Sequence, residues 1–203
     1  ITTVAGNVTV DKVITNINKV LQVSDLKIPI FKGSEKPIIK DFEHAEGYHG
    51  KDGLGDSEEL SKIEGYNNVV DDKHASEFII ESAKESNINL ICIGPLTNIA
   101  LALCLDPSLP SKVDNIYIMG GTLFGKGNIS SNTEYNFYSD PEATFKVINS
   151  FKFMHIIPWE ACIDFKIPKE IAEKFYDPEG SDKLKFYAEA FRNNYEKGAF
   201  EIC

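Results

Sequence analysis

The chain has 203 residues, a formal charge of −10 and a single arginine, Arg192. Such an acidic surface repels phosphate backbones, which argues against a nucleic-acid partner. Hydrophobic residues at 42% and charged residues at 26% exclude a wholly disordered chain, and no apolar run reaches the ~18 residues of a membrane-spanning helix.

The opening "ITTVAG" is β-rich from Ile1 to Val4 and runs into a turn at Gly6-Asn7. A helical period follows from Val10 to Val23, with Val13, Ile17, Val20 and Leu21 on one predicted face. "IPIFKG" reads as a short strand closed by Gly33. Residues 41–60, "DFEHAEGYHGKDGLGDSEEL", are rich in glycine and acid and read as a long loop, a kind of segment that is commonly functional. A helix is expected from Ala75 to Ser86. "INLICIG" is then a continuous apolar strand, the pattern of a parallel sheet buried on both faces.

"GPLTNIALALCLDP" turns directly into a helix that Pro107 stops. "NIYIMGG" is a further buried strand. In "DPEATFKVINS" Asp140 is the expected N-cap and Pro141 the first helical residue. "FKFMHIIPW" is one more strand, and helices are expected over Pro168–Phe175 and Ser181–Tyr195. Strand and helix alternate, so the fold class is α/β, an open and mainly parallel sheet flanked by helices in one domain over residues 1–203. The abrupt start and the end at "EKGAFEIC" suggest an α/β domain truncated at both ends. No signal peptide is recognisable. Cys92, Cys104, Cys162 and Cys203 form no CxxC pair, and Cys92 and Cys104 lie in apolar segments. Buried reduced thiols, and with them a reducing cytoplasmic location, are the expectation.

In an open parallel sheet, ligands bind at the C-terminal strand ends. The loops after Val4, Ile93 and Met119 leave such ends, so one shared site is predicted. "GGTLFGKG", Gly120 to Gly127, nearly matches a phosphate loop. It lacks the hydroxyl residue, because Gly127 stands in its place, and a polar stretch follows instead of a helix. "GNISSNTEYNFYSDPEA" carries Asn128, Glu134 and Asn136 without a cation. On an extended segment Glu134 and Asn136 share a face, with Tyr135 turned into packing. Two carboxamides and a carboxylate can grip several hydroxyls, and the carboxylate favours a sugar that is becoming cationic. An Asn-rich turn whose amides satisfy the backbone has the same pattern. Asn7 also fits turn chemistry, Thr97 fits helix capping, and His49 in "YHGKDGLG" fits a solvated loop residue.

"ITTVAGNVTVDKVITNINKVL", "GSEKPII", "HGKDGLGD", "GPLTNIALAL", "MGGTLFGKGNISSNTEYNFYSDPEA" and "WEACIDF" together resemble, in this order, nucleoside hydrolases of the inosine–uridine preferring type. The resemblance implies a fold related to the dinucleotide-binding architecture. It implies hydrolysis of the N-glycosidic bond of small-molecule ribonucleosides, with a calcium ion holding the ribose diol and the attacking water, and it raises the prior for a homo-oligomer. By resemblance Asn128, Glu134 and Asn136 hold ribose hydroxyls, Met119 lines the sugar pocket, Asn7 lies beside the water, His49 sits over the base, and the Thr97 carbonyl binds calcium. The family's DxDxGxDD cluster and its later His-Asp pair have no counterpart in this sequence. Slow or absent turnover of this chain alone is therefore expected. A non-catalytic nucleoside- or sugar-binding protein is the competing reading, with a phosphate-loop nucleotide binder behind it.

Overall fold

The computed structural model describes residues 1–165, 168–175 and 179–196. Its strand pairings are all parallel, as the alternation of strands and helices requires, since a parallel strand needs a crossover to return. β1 (Ile30–Phe31) pairs with β2 (Val69–Val70). β3 (Ile88–Cys92), β4 (Val113–Met119) and β5 (His155–Ile157) lie side by side in chain order. The opening segment is irregular and forms one bridge, Thr2 to Phe31. It is still pinned beside β1, because Thr3 N–H donates to Phe31 O at 3.0 Å and Phe31 N–H donates to Ile1 O at 2.9 Å.

The expected helices form close to their predicted limits. α1 (Val10–Ser24) ends where Asp25 turns into the left-handed region at φ 52°. Its buried face differs from the predicted stripe: Val10, Asn18, Lys19 and Leu21 are buried, whereas Val20 is 43% exposed. The polar pair is tolerated inside because it is bonded. Asn18 Oδ1 accepts the Asn68 N–H at 3.1 Å, and Lys19 Nζ donates to Leu60 O at 2.8 Å. Residues 41–60 are less irregular than expected and contain two single-turn helices, α2 (Glu46–His49) and α3 (Glu58–Ser61).

α4 (Ala75–Glu85) starts at a capping box between His74 and Glu77. α5 (Thr97–Leu105) is apolar nearly all round because it is wedged between α4 and α7 (Pro141–Ser150). These three helices cover one face of β3 and β4. Ile79, Leu96, Leu103, Ile116, Ile118 and Val147 form the middle of that core. Short α6 (Tyr135–Ser139) precedes α7. Beyond β5 come α8 (Trp159–Asp164), α9 (Lys169–Phe175) and α10 (Asp182–Glu196), which packs on α1 and α3.

Two burial expectations are corrected. The β3 strand is not buried on both faces: Ile91 is 75% and the following Ile93 80% exposed. Strand alternation sends Ile88, Leu90 and Cys92 towards the helices and Ile91 to the other face. Cys104 is exposed, in the last turn of α5 beside Leu105 at 65% exposure. Cys92 does keep the expected character, since burial pushes its thiol up to about 12 and leaves it unreactive. Cys203 lies outside the described residues. No helix among the described residues is long and apolar enough to cross a membrane.

Candidate active site

The three predicted strand-end loops meet, and Tyr135 is the residue that joins two of them. It is buried at the start of α6, as expected for a side chain turned into packing. Its Oη lies 2.7 Å from Gly6 O and 2.8 Å from Glu43 O, so one hydroxyl proton is shared between two carbonyls. Ala45 N–H donates to Asn7 O at 3.0 Å, which brings the start of α2, and so His49, to the same corner. Gly6 sits so close to the loop after β3 that a methyl there would lie 3.2 Å from the Pro95 ring.

"GPLTN" supplies the second junction. Asn98 Nδ2 donates to Thr3 O at 2.7 Å and Asn98 Oδ1 accepts the Ser34 N–H at 3.0 Å. One buried amide therefore ties the opening segment to the turn after β1. Thr97 is not a side-chain cap. The N-cap of α5 is Leu96, and Thr97 Oγ1 donates to Asp140 Oδ2 at 2.7 Å. Asp140 is fully buried and also accepts the Ile38 N–H at 3.0 Å and the Ala143 N–H at 3.0 Å. The sequence marks Asp140 as a cap of α7, and it is one. That it also holds Thr97 and the 38–40 segment carries no local signature.

The Glu134–Asn136 segment departs from the extended reading. Glu134 is the N-cap of α6, so the two side chains share a helix start rather than one face of a strand. The Glu134 carboxylate is 2% exposed and accepts N–H groups from Asn136 (2.9 Å), Phe137 (3.2 Å) and Gly121 (2.9 Å). A carboxylate accepts about four hydrogen bonds, so one acceptor position is left. Asn136 Nδ2 donates to Met119 O at 3.1 Å and contacts Met119 Sδ at 3.2 Å, which joins α6 to the end of β4. Asn128 Oδ1 accepts the Tyr135 N–H at 2.8 Å. Among the described residues, the Asn136 amide oxygen and the Asn128 amide NH2 have no hydrogen-bond partner. Half of each carboxamide is thus spent on the backbone, as in an Asn-rich turn, and the other half has no protein partner among the described residues.

The near-match to a phosphate loop does not fold as one. After Lys126 the chain turns, with Gly127 N–H donating to Ser131 O at 3.1 Å, and the next helix starts only at Tyr135. Among the described residues no helix starts directly after Lys126, where a phosphate loop needs one.

His49 closes α2, half-buried, with the Tyr48 ring edge-on at 4.8 Å. Burial lowers its pKa below the ordinary 6.5, which keeps the imidazole neutral at pH 7. Because the folded value lies below the unfolded one, the associated stability is present above pH 6.5 and is lost as pH falls through the folded value. NMR titration of the His49 ring is expected to give a midpoint below 6.5, and a midpoint at or above it contradicts this burial.

A model of the inosine-uridine preferring nucleoside hydrolase family matches residues 1–203. The chain belongs to this family. The pyrimidine-specific ribonucleoside hydrolase RihB of Escherichia coli O1:K1 is 35% identical over 152 residues, which cover 74% of this chain and 47% of RihB. An inosine-guanosine nucleoside hydrolase of known structure superposes with a TM-score of 0.82 at 30% identity, over 97% of this chain and 65% of its own. A purine-preferring ribonucleoside hydrolase from Gardnerella vaginalis gives a TM-score of 0.83 at 26% identity, over 100% and 66%. The chain therefore spans about half the length of the curated relative and about two thirds of the solved ones.

Within this nucleoside hydrolase fold, a cavity of about 540 Å³ lies beside Glu134, walled by Gly121, Leu123, Phe137, Ile156 and Pro158. Asn7, His49, Thr97, Asn128 and Asn136 do not line it. Of the candidate residues Glu134 reaches this pocket, while Asn136 is bonded to Met119 and Asn128 to Tyr135 at the strand end.

Proposed function

We propose that this chain recognises ribonucleosides through their sugar and serves hydrolysis of the N-glycosidic bond, giving ribose and a free base. The observation that carries the reading is the pair of half-spent carboxamides, Asn128 on the Tyr135 N–H and Asn136 on Met119 O, in the segment that carries the buried Glu134 carboxylate. The Asn128 NH2 donates to a ribose oxygen and the Asn136 oxygen accepts a ribose hydroxyl. Glu134 is anchored by three N–H groups and adds fixed negative potential towards a sugar that turns oxocarbenium-like, in a site of low dielectric. Asn7 lies by the attacking water, and His49, neutral at pH 7, serves the leaving base. Relatives named as pyrimidine-specific and purine-preferring both resemble this chain, so no base is assigned.

Calcium, bound in the family reading by the Thr97 carbonyl, needs six to eight oxygen ligands, mostly carboxylates. Among the described residues no group of three or more His, Cys, Asp or Glu side chains converges to hold a metal. The residues present do not by themselves fit calcium, and no step above passes through it. Calorimetric titration of this chain with calcium is expected to show a Kd weaker than about 1 mM. Micromolar binding would place a metal site where none is recognised.

This donor set also favours a second reading, a sugar-binding chain without turnover. Ribose release from inosine and uridine, with calcium present, decides between them. Release that needs Asn136 and survives Lys126→Ala supports hydrolysis. Ribonucleoside binding with the same dependence but no release supports the binding reading. Binding lost in Lys126→Ala would revive the phosphate loop and overturn both.

A further inference from the structure

The motif "WEACIDF" is unused by the proposed chemistry, yet its second residue is a buried carboxylate. Glu160 is 6% exposed. Its Oε2 accepts the Leu123 N–H at 2.9 Å and its Oε1 the Phe124 N–H at 2.8 Å. The side chains of those two residues are 68% and 75% exposed. Apolar packing therefore contributes little to holding this stretch, and its backbone groups are the anchor. On the same side, Trp159 N–H donates to Gly121 O at 2.9 Å and Gly120 N–H donates to Ile157 O at 3.0 Å. The chain from Ile157 to Glu160 thus frames both ends of the 120–124 loop. The loop in turn presents the Gly121 N–H to Glu134.

We infer that Glu160 is a positioning residue for the sugar grip: by fixing the 120–124 loop it sets the Gly121 N–H that orients the Glu134 carboxylate. Glu160 touches no substrate and acts through two links, Glu160 to the loop and Gly121 to Glu134. Burial pushes its carboxyl up, but N–H donors led by Leu123 and Phe124 outweigh this and hold it below the ordinary carboxylate range. It is therefore ionised at neutral pH, the form that accepts from both donors. A bidentate acceptor is needed because two successive N–H groups converge on it. Glutamine keeps one acceptor oxygen and sets an NH2 against the other donor. Alanine keeps neither.

The role in catalysis rests on the sugar-grip reading, whereas the anchoring role does not, so the test reads them separately. In Glu160→Ala, amide hydrogen exchange is expected to speed up at least about tenfold at Leu123, Phe124 and Gly121, with Ile116 and Ile118 in the core unchanged. Glu160→Gln is expected to fall between the two. In the same variants ribonucleoside KM is expected to rise while kcat falls as well, because a displaced Glu134 weakens both binding and charge stabilisation. Uniform exchange acceleration through Ile116 and Ile118, or an unchanged Gly121, overturns the anchoring role. Accelerated exchange with unaltered kinetics overturns the positioning role alone. If the parent chain neither binds nor cleaves ribonucleosides, the sugar-grip reading fails and the positioning role fails with it, while the exchange result still decides the anchor.

Discussion

Asn98→Ala is expected to lower the melting temperature by roughly 6–12 °C. The substitution leaves two buried partners unpaired, the Thr3 carbonyl and the Ser34 N–H. Each orphaned group costs about 1–3 kcal/mol, so on the order of 3 kcal/mol is lost in all. A chain of this size shifts by about 2–4 °C per kcal/mol. Asn98→Asp distinguishes the mechanism. It keeps an acceptor for Ser34 but sets a carboxylate oxygen against the Thr3 carbonyl, so the loss is expected to be at least as large. Gly33→Ala attacks the same clamp from outside, since a Cβ there would lie 2.1 Å from Thr3 O and 2.4 Å from both terminal atoms of the Asn98 amide. The double variant is expected to be less than additive, because both changes open one junction. Thermal unfolding followed by circular dichroism checks all four variants. An Asn98→Ala melting temperature within about 2 °C of the parent would show that the clamp contributes nothing.

Asn136→Ala is expected to weaken ribonucleoside binding, and any ribose release, by about 10–100-fold, the loss of one or two hydrogen bonds to a bound hydroxyl. Its structural cost is smaller, the bond from Nδ2 to Met119 O and the weak contact with Met119 Sδ. A melting temperature close to the parent together with lost affinity therefore identifies a ligand-facing role. Equal losses of stability and affinity would instead assign Asn136 to the turn. Lys126→Ala is the matched control, because Lys126 is exposed and belongs to a loop that lacks the phosphate-loop geometry.

The order of elements was legible because each rests on a local pattern. The period of α1, the Asp140-Pro141 start of α7 and the apolar runs of β3 and β4 are set within a few residues of chain. Parallel pairing followed from the alternation alone. Positions outside such patterns were misplaced. Val69–Val70 was not recognised as a strand, since two residues carry no period. The buried polar pair on α1, Asn18 and Lys19, lies outside the predicted apolar stripe, and its burial is explained only by partners distant in the chain.

The site divides in the same way. The sequence by itself determined that Asn128, Glu134 and Asn136 lie near one strand end, that the loop around them lacks a phosphate-loop helix, and which family the motifs resemble. Only the tertiary structure decided what each polar group is bonded to. Asn98 meets a carbonyl 95 residues away, Thr97 a carboxylate 43 away, Tyr135 a carbonyl 129 away, and Glu160 an N–H 37 away. Periodicity and capping act over one or two turns of chain. A buried hydrogen-bonding group takes whichever complementary partner the fold brings within about 3 Å, and that partner is fixed by how the elements pack.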